Sequence, residues 1–150
     1  MAQALSQLGH AVRAAELLDR LLGLGQLTPE SRSFVLNRRG NYLTSANDLP
    51  GARESYERAL DRRGHGHMNR HALYNLARLL HFHIFPSEIS IPDFSTIERA
   101  VELYREALGQ GGDGVGGPID RSVIFRDMAS ALMLAGRLEE AIAELEYALA

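Results

Sequence analysis

The last fifteen residues, GRLEEAIAELEYALA, place a glycine at 136, alanines at 141 and 148, and Leu145 between the alanines. This spacing recurs three times upstream. Gly9, Ala14, Leu18 and Leu21 follow it first, then Asn47, Ala52, Tyr56 and Ala59, then Ser95, Ala100, Tyr104 and Ala107. Each segment has the apolar periodicity of an amphipathic helix. The three clearest share an alanine, a large residue four positions on, and an alanine three further. A recurring pattern of this length constrains the fold more than any composition value, because it implies one structural unit used several times.

Each of these helices has a partner before it. Ala129 stands seven residues before Gly136, Gly40 seven before Asn47, and Ala77 holds the same role in HALYNLARLLHFHI. A large residue lies four before each small one (Phe125, Leu36, Leu73) and another three after (Leu132, Leu43, Leu80). A small side chain lets a neighbouring helix approach, and the large ones above and below fill the gaps.

These residues resemble the tetratricopeptide repeat, a helix–turn–helix unit of about 34 residues. The final segment matches best, through Phe125, Met128, Ala129, Leu132, Gly136, Ala141, Leu145 and Ala148. Three positions depart from the pattern: Leu21 replaces an alanine, Arg39 an apolar residue, and Asn47 a glycine. The alanines at 14, 52, 100 and 141 are 38, 48 and 41 residues apart, so each interval holds an insertion. The resemblance implies an all-α, right-handed solenoid of antiparallel helix pairs, with units of approximately 1–26, 29–64, 68–112 and 118–150.

Local signals place about eight helices, at 2–8, 10–23, 29–46, 49–63, 68–84, 96–109, 118–135 and 138–150. Thr28-Pro29-Glu30 reads as an N-cap with proline at the first helical position. Asp48 caps the next helix, with Pro50 in its first turn. Ser95-Thr96-Ile97-Glu98 reads as a capping box, and Pro118 opens the seventh helix. Ala2 matches Ala129, so the first repeat lacks its opening third, and Ala150 falls in the last turn of its helix. A solenoid needs polar units over its apolar ends. Neither end shows one, and the expectation is a piece of a longer protein or a homodimer through exposed solenoid ends.

Composition narrows the function classes. The chain has 150 residues, no cysteine and a formal charge of -3, and all sixteen of its basic residues are arginine. Disulfides and thiolate chemistry are excluded, and the charge argues against a nucleic-acid partner. No run of about 18 apolar residues predicts a membrane span, and the N-terminus lacks a secretory pattern, so a cytoplasmic location is expected. His67 and His71, in RGHGHMNRH with His65, could share a helix face, but no nearby Cys or acidic residue completes a zinc site. GQGGDGVGGPID, residues 109–120, lacks the Gly-Lys-Ser/Thr ending of a phosphate loop and follows a helix. No nucleophile elbow, kinase motif or acid pair appears. No catalytic residue, cofactor or metal is assigned, and the chain is not read as an enzyme. FPSEISIPDFS, residues 85–95, is unusually apolar for a loop, and is expected to pack on the third and fourth repeats, with contact to a partner as the alternative.

The first helix of each repeat carries a polar face. In the third repeat it holds His71, Tyr74, Asn75, Arg78, His81 and Phe82; in the second, Phe34, Asn37, Arg38 and Asn41; in the fourth, Arg126, Asp127 and Ser130. In the repeat family these positions line a concave groove that receives a peptide or partner helix. Arg38, Arg78 and Arg126 against Asp127 make the face cationic, which suits an acidic or carboxylate-ended segment. Asn41 and Asn75 stand where chaperone-binding members have two asparagines. Asn37, Val123 and Asp127 replace that clamp's basic residues, so chaperone binding is not predicted. The expected function is protein–protein interaction through this groove, with Arg78, Asn75, Tyr74 and Asn41 contributing most. The runner-up is a regulatory or substrate-recruiting segment of a larger enzyme, and a third reading is a self-association unit.

Overall fold

The computed structural model describes residues 2–60, 69–87, 94–109 and 119–150. Among them are seven α-helices and no strand: α1 (Ala2–Gly23), α2 (Pro29–Ser45), α3 (Leu49–Ala59), α4 (Asn69–Leu79), α5 (Phe94–Gly109), α6 (Arg121–Leu134) and α7 (Leu138–Leu149). A π-helical turn, Leu80–Ile84, and a 3₁₀ turn, Phe85–Ser87, extend α4. The chain divides into two compact units, Met1–Met68 and Asn69–Ala150. The first holds α1 to α3 and the second α4 to α7. Within each unit, helices consecutive in the chain pack on one another.

The expected pair of helices at 2–8 and 10–23 is a single helix. Gly9 therefore does not act as Gly136 does. Nothing after Gly9 supplies an N-cap or a proline, and the residues on both sides are strong helix formers. A lone glycine costs a helix only about 1 kcal/mol, which its neighbours outweigh. Gly136, by contrast, adopts φ +75°, and Asn47, which replaces glycine at the matching position, adopts φ 60°. Both close the same C-terminal motif. Asn47 N–H bonds Thr44 O and Asp48 N–H bonds Leu43 O, while Gly136 bonds Met133 and Arg137 bonds Leu132. The left-handed residue satisfies carbonyls that the helix end leaves free, and asparagine is a residue that tolerates this conformation.

Caps fix the starts. The Thr28 hydroxyl accepts from Ser31 N–H at 3.2 Å, and the Asp48 carboxylate accepts from Gly51 N–H at 3.0 Å. The helix expected to open at Pro118 begins at Arg121, capped by Asp120, which accepts from Ser122 N–H at 2.8 Å; Pro118 itself lies outside the described residues. The start of α5 also differs from expectation. The helix begins at Phe94, so Ser95 sits within its first turn, and Glu98 reaches across to Arg137 at 2.6 Å.

Packing follows the small-to-large pattern. A side chain on Gly40 would collide with the Tyr56 ring, so α2 and α3 meet there only because residue 40 is glycine. Ala52, Ala77, Ala100, Ala107, Ala129 and Ala141 are all buried. Arg39, unexpected at an apolar position, joins the three helices of the first unit. It pairs with Asp19 of α1 at 2.6 Å and donates to the Ser55 hydroxyl of α3. In the second unit Arg137 donates to Glu98 and Glu140, and Arg105 also donates to Glu140 at 2.9 Å. Hydrogen bonds from Arg137 and Arg105 hold the Glu140 carboxyl down at about 2.

Of the apolar 85–95 stretch, Phe85 and Phe94 are described, and their rings lie 6.2 Å apart. Residues 88–93, and residues 110–118 of the glycine loop, lie outside the described part.

Candidate functional site

In the second unit, residues expected on one face converge on a carboxylate. Asp127 lies on α6 at the spacing of the buried residues Ile124 and Ala131, and is itself only 4% exposed. Its Oδ2 accepts from the Tyr74 hydroxyl of α4 at 2.8 Å. Its Oδ1 accepts two bonds from Arg126, from Nε at 3.1 Å and Nη2 at 2.9 Å. Arg78 Nε stands 3.7 Å from Oδ2, an ion pair too long for a hydrogen bond. A buried carboxylate is costly unless neutralised and hydrogen-bonded; here one hydroxyl and two guanidiniums meet that need.

The two arginines reach outward from this anchor. The Arg78 side chain is 52% exposed and that of Arg126 70%. Arg78 also lies against two aromatic rings, 5.7 Å from the Tyr74 centroid and 5.5 Å from that of Phe82. Such contacts add about 0.5–1 kcal/mol at exposed sites and narrow the orientations the guanidinium samples. Arg126 spends two of its five donors on Asp127. The rest remain for an external carboxylate, which matches a guanidinium fork geometrically.

Four residues expected on this face, or on the matching one in the first unit, are instead buried. Tyr74 is 8% exposed, and its hydroxyl serves Asp127. His81 is 1% exposed, with Nδ1 3.2 Å from the Tyr104 hydroxyl. His81 stands seven residues after the buried Tyr74, on the same side of the helix, so it turns inward while Phe82, stacked on it at 3.9 Å, stays exposed. Asn37 is buried as well. Asp127 was expected as a surface charge on the face, and the fold uses it as the buried anchor. His71, Asn75 and Ser130 are half-buried.

Burial shifts the groups around the anchor. Desolvation, then the hydrogen bond to Asp127, pushes the Tyr74 phenol up to about 12. Desolvation also raises Tyr104. It holds the His81 imidazole below its ordinary value; Arg78 adds to that depression and Asp127 opposes it.

In the first unit, Arg38 is exposed and its guanidinium lies 5.3 Å from the centroid of the half-buried Phe34 ring. Asn41 is half-buried, and its Oδ1 accepts from the Tyr56 hydroxyl at 2.8 Å. Among the described residues no group of three His, Cys, Asp or Glu could hold a metal ion; His65 and His67 lie outside them. No helix is long and apolar enough to cross a membrane among those residues.

Asp127 as a hub was missed from sequence. The available signal was its place at i+3 from Ile124 and i−4 from Ala131, a polar residue in a buried stripe. No protein family, curated protein or solved structure matches the chain.

Proposed function

We propose that the protein is a non-catalytic interaction module of tetratricopeptide-like design, and that its α4/α6 face binds an acidic segment of a partner protein. The observation that carries this reading is the pair of exposed guanidiniums, Arg78 and Arg126, gathered on one buried carboxylate. Fixing two long side chains in advance lowers the ordering cost of binding. Two arginines against one aspartate leave the site a net positive charge. Phe82 adds an exposed apolar contact beside Arg78, so the favoured ligand carries an acidic group next to an apolar side chain.

The test is a fluorescence-anisotropy screen of labelled peptides that pair Asp or Glu with Leu or Phe, each with a free or amidated C-terminus. Peptides with acidic residues are expected to bind, and their Lys-substituted counterparts are not. Arg78→Glu is expected to weaken binding by about tenfold or more, since losing a paired charge costs ~2–5 kcal/mol when it is desolvated. Helix content should be unchanged, because the side chain faces solvent. Equal binding by the wild type and Arg78→Glu would refute the assignment.

A further inference from the structure

Two exposed helix faces outside the arginine site match each other. On α7, Leu138, Ile142, Leu145 and Leu149 are exposed. Their spacing of four, three and four aligns them in one stripe, as in a coiled-coil seam. Glu139 and Glu146, seven residues apart, each follow a stripe residue and border it on one side. Both are exposed and take part in no ion pair among the described residues, whereas Glu140 and Glu144 are engaged by Arg105.

On α1 and the turn that ends it, Leu17 and Leu24 are exposed and Leu21 is partly so. The helical turn continues to Leu24, whose N–H bonds Leu21 O at 3.3 Å. The spacing is again four and three. Arg13 and Arg20, also seven residues apart, border this stripe, are exposed, and have no ion pair among the described residues. Seven residues span about 10.5 Å of helix, so the two arginines and the two glutamates repeat at the same interval.

We infer that the protein binds a second copy of itself, with α7 of one copy laid along the outer face of α1 of the next. Stripe would meet stripe, and Arg13 and Arg20 would oppose Glu139 and Glu146. The charges select this arrangement over its rivals. Two α7 faces would set glutamate against glutamate or leave it unpaired, and two α1 faces would do the same with arginine, so only the contact between α7 and α1 pairs the charges. The two faces are different surfaces, so the contact is heterologous. Each added copy leaves one free face of each kind, and association continues beyond the dimer unless a ring closes. The faces are small, so the contact is weak. This inference is independent of the arginine site.

Sedimentation equilibrium of the full chain, from about 1 µM to about 1 mM, tests it in the range of weak association. The weight-average mass is expected to rise with concentration without levelling at the dimer. Glu139→Arg with Glu146→Arg, and separately Arg13→Glu with Arg20→Glu, should each weaken association by about tenfold or more. The two variants mixed, or all four changes in one chain, should restore it. Glu139 also lies in the first turn of α7, where an acidic side chain favours the helix, so Glu146→Arg alone gives a second reading should helix content fall. A wild type that stays monomeric at the highest concentration overturns the inference. So does association that survives both charge reversals, or reversals that fail to rescue each other.

Discussion

Asp127→Ala tests the buried anchor directly. The change removes the acceptor of the hydroxyl of Tyr74, a residue only 8% exposed, whose oxygen lies 2.8 Å from Oδ2. A hydrogen bond to a charged group contributes about 1.5–3 kcal/mol, and a stranded buried hydroxyl costs an amount of similar size. The two arginines lose their partner but remain in water, so they add little. We expect a loss of about 2 kcal/mol. With a urea dependence of about 1–3 kcal/mol per molar, the unfolding midpoint falls by about 1 M. Tyr74→Phe should cost less, about 1 kcal/mol, because Arg126 still supplies two bonds to the carboxylate. The decisive quantity is the double mutant. With both partners gone neither is stranded, so the two losses should fall short of additive by about 1 kcal/mol. Urea unfolding followed by circular dichroism on the four proteins measures this. Additivity within about 0.5 kcal/mol would mean that the Tyr74–Asp127 bond does not hold α4 to α6, and the preorganised arginine pair would lose its physical basis.

Gly40→Ala should destabilise the first unit by about 1–3 kcal/mol through overpacking against the Tyr56 ring, readable as a lower midpoint in the same assay. At alkaline pH, Tyr74 binds its proton more tightly folded than unfolded. Its contribution is therefore full below its ordinary value of 10 and is lost as pH rises to about 12; denaturant titrations across that window, compared with Tyr74→Phe, check the sign. His81 behaves oppositely. Its depressed folded value means that stability is full above the ordinary value of 6.5 and falls as pH drops below it, and the slope should diminish in His81→Gln.

Much of the local structure was legible in the chain because it depends on neighbours in sequence. Thr28 and Asp48 cap their helices as their side-chain chemistry dictates, and Asn47 turns left-handed where the repeat pattern placed a glycine. The buried alanines and Gly40 followed from the same pattern, since only a small residue between large ones lets two helices meet. The polar site was legible only in part. Arg78, Phe82 and Arg126 lie on an exposed face as helical spacing predicts. The same spacing also put Tyr74, His81 and Asp127 there, and those three are buried. Spacing gives the face of a residue, not how far a neighbouring helix covers that face.

What the sequence determined by itself was therefore the helical character, most boundaries, and the small-to-large contact points, all governed by backbone chemistry and periodicity over a few residues. The tertiary structure decided the rest. Arg39 is tolerated because Asp19 and Ser55 arrive from other helices. Asp127 is a buried anchor because Tyr74, 53 positions away in the chain, meets it. Whether a polar side chain is solvated or enclosed depends on groups brought together from distant positions, and the energy of enclosing it is settled only once those partners are in place.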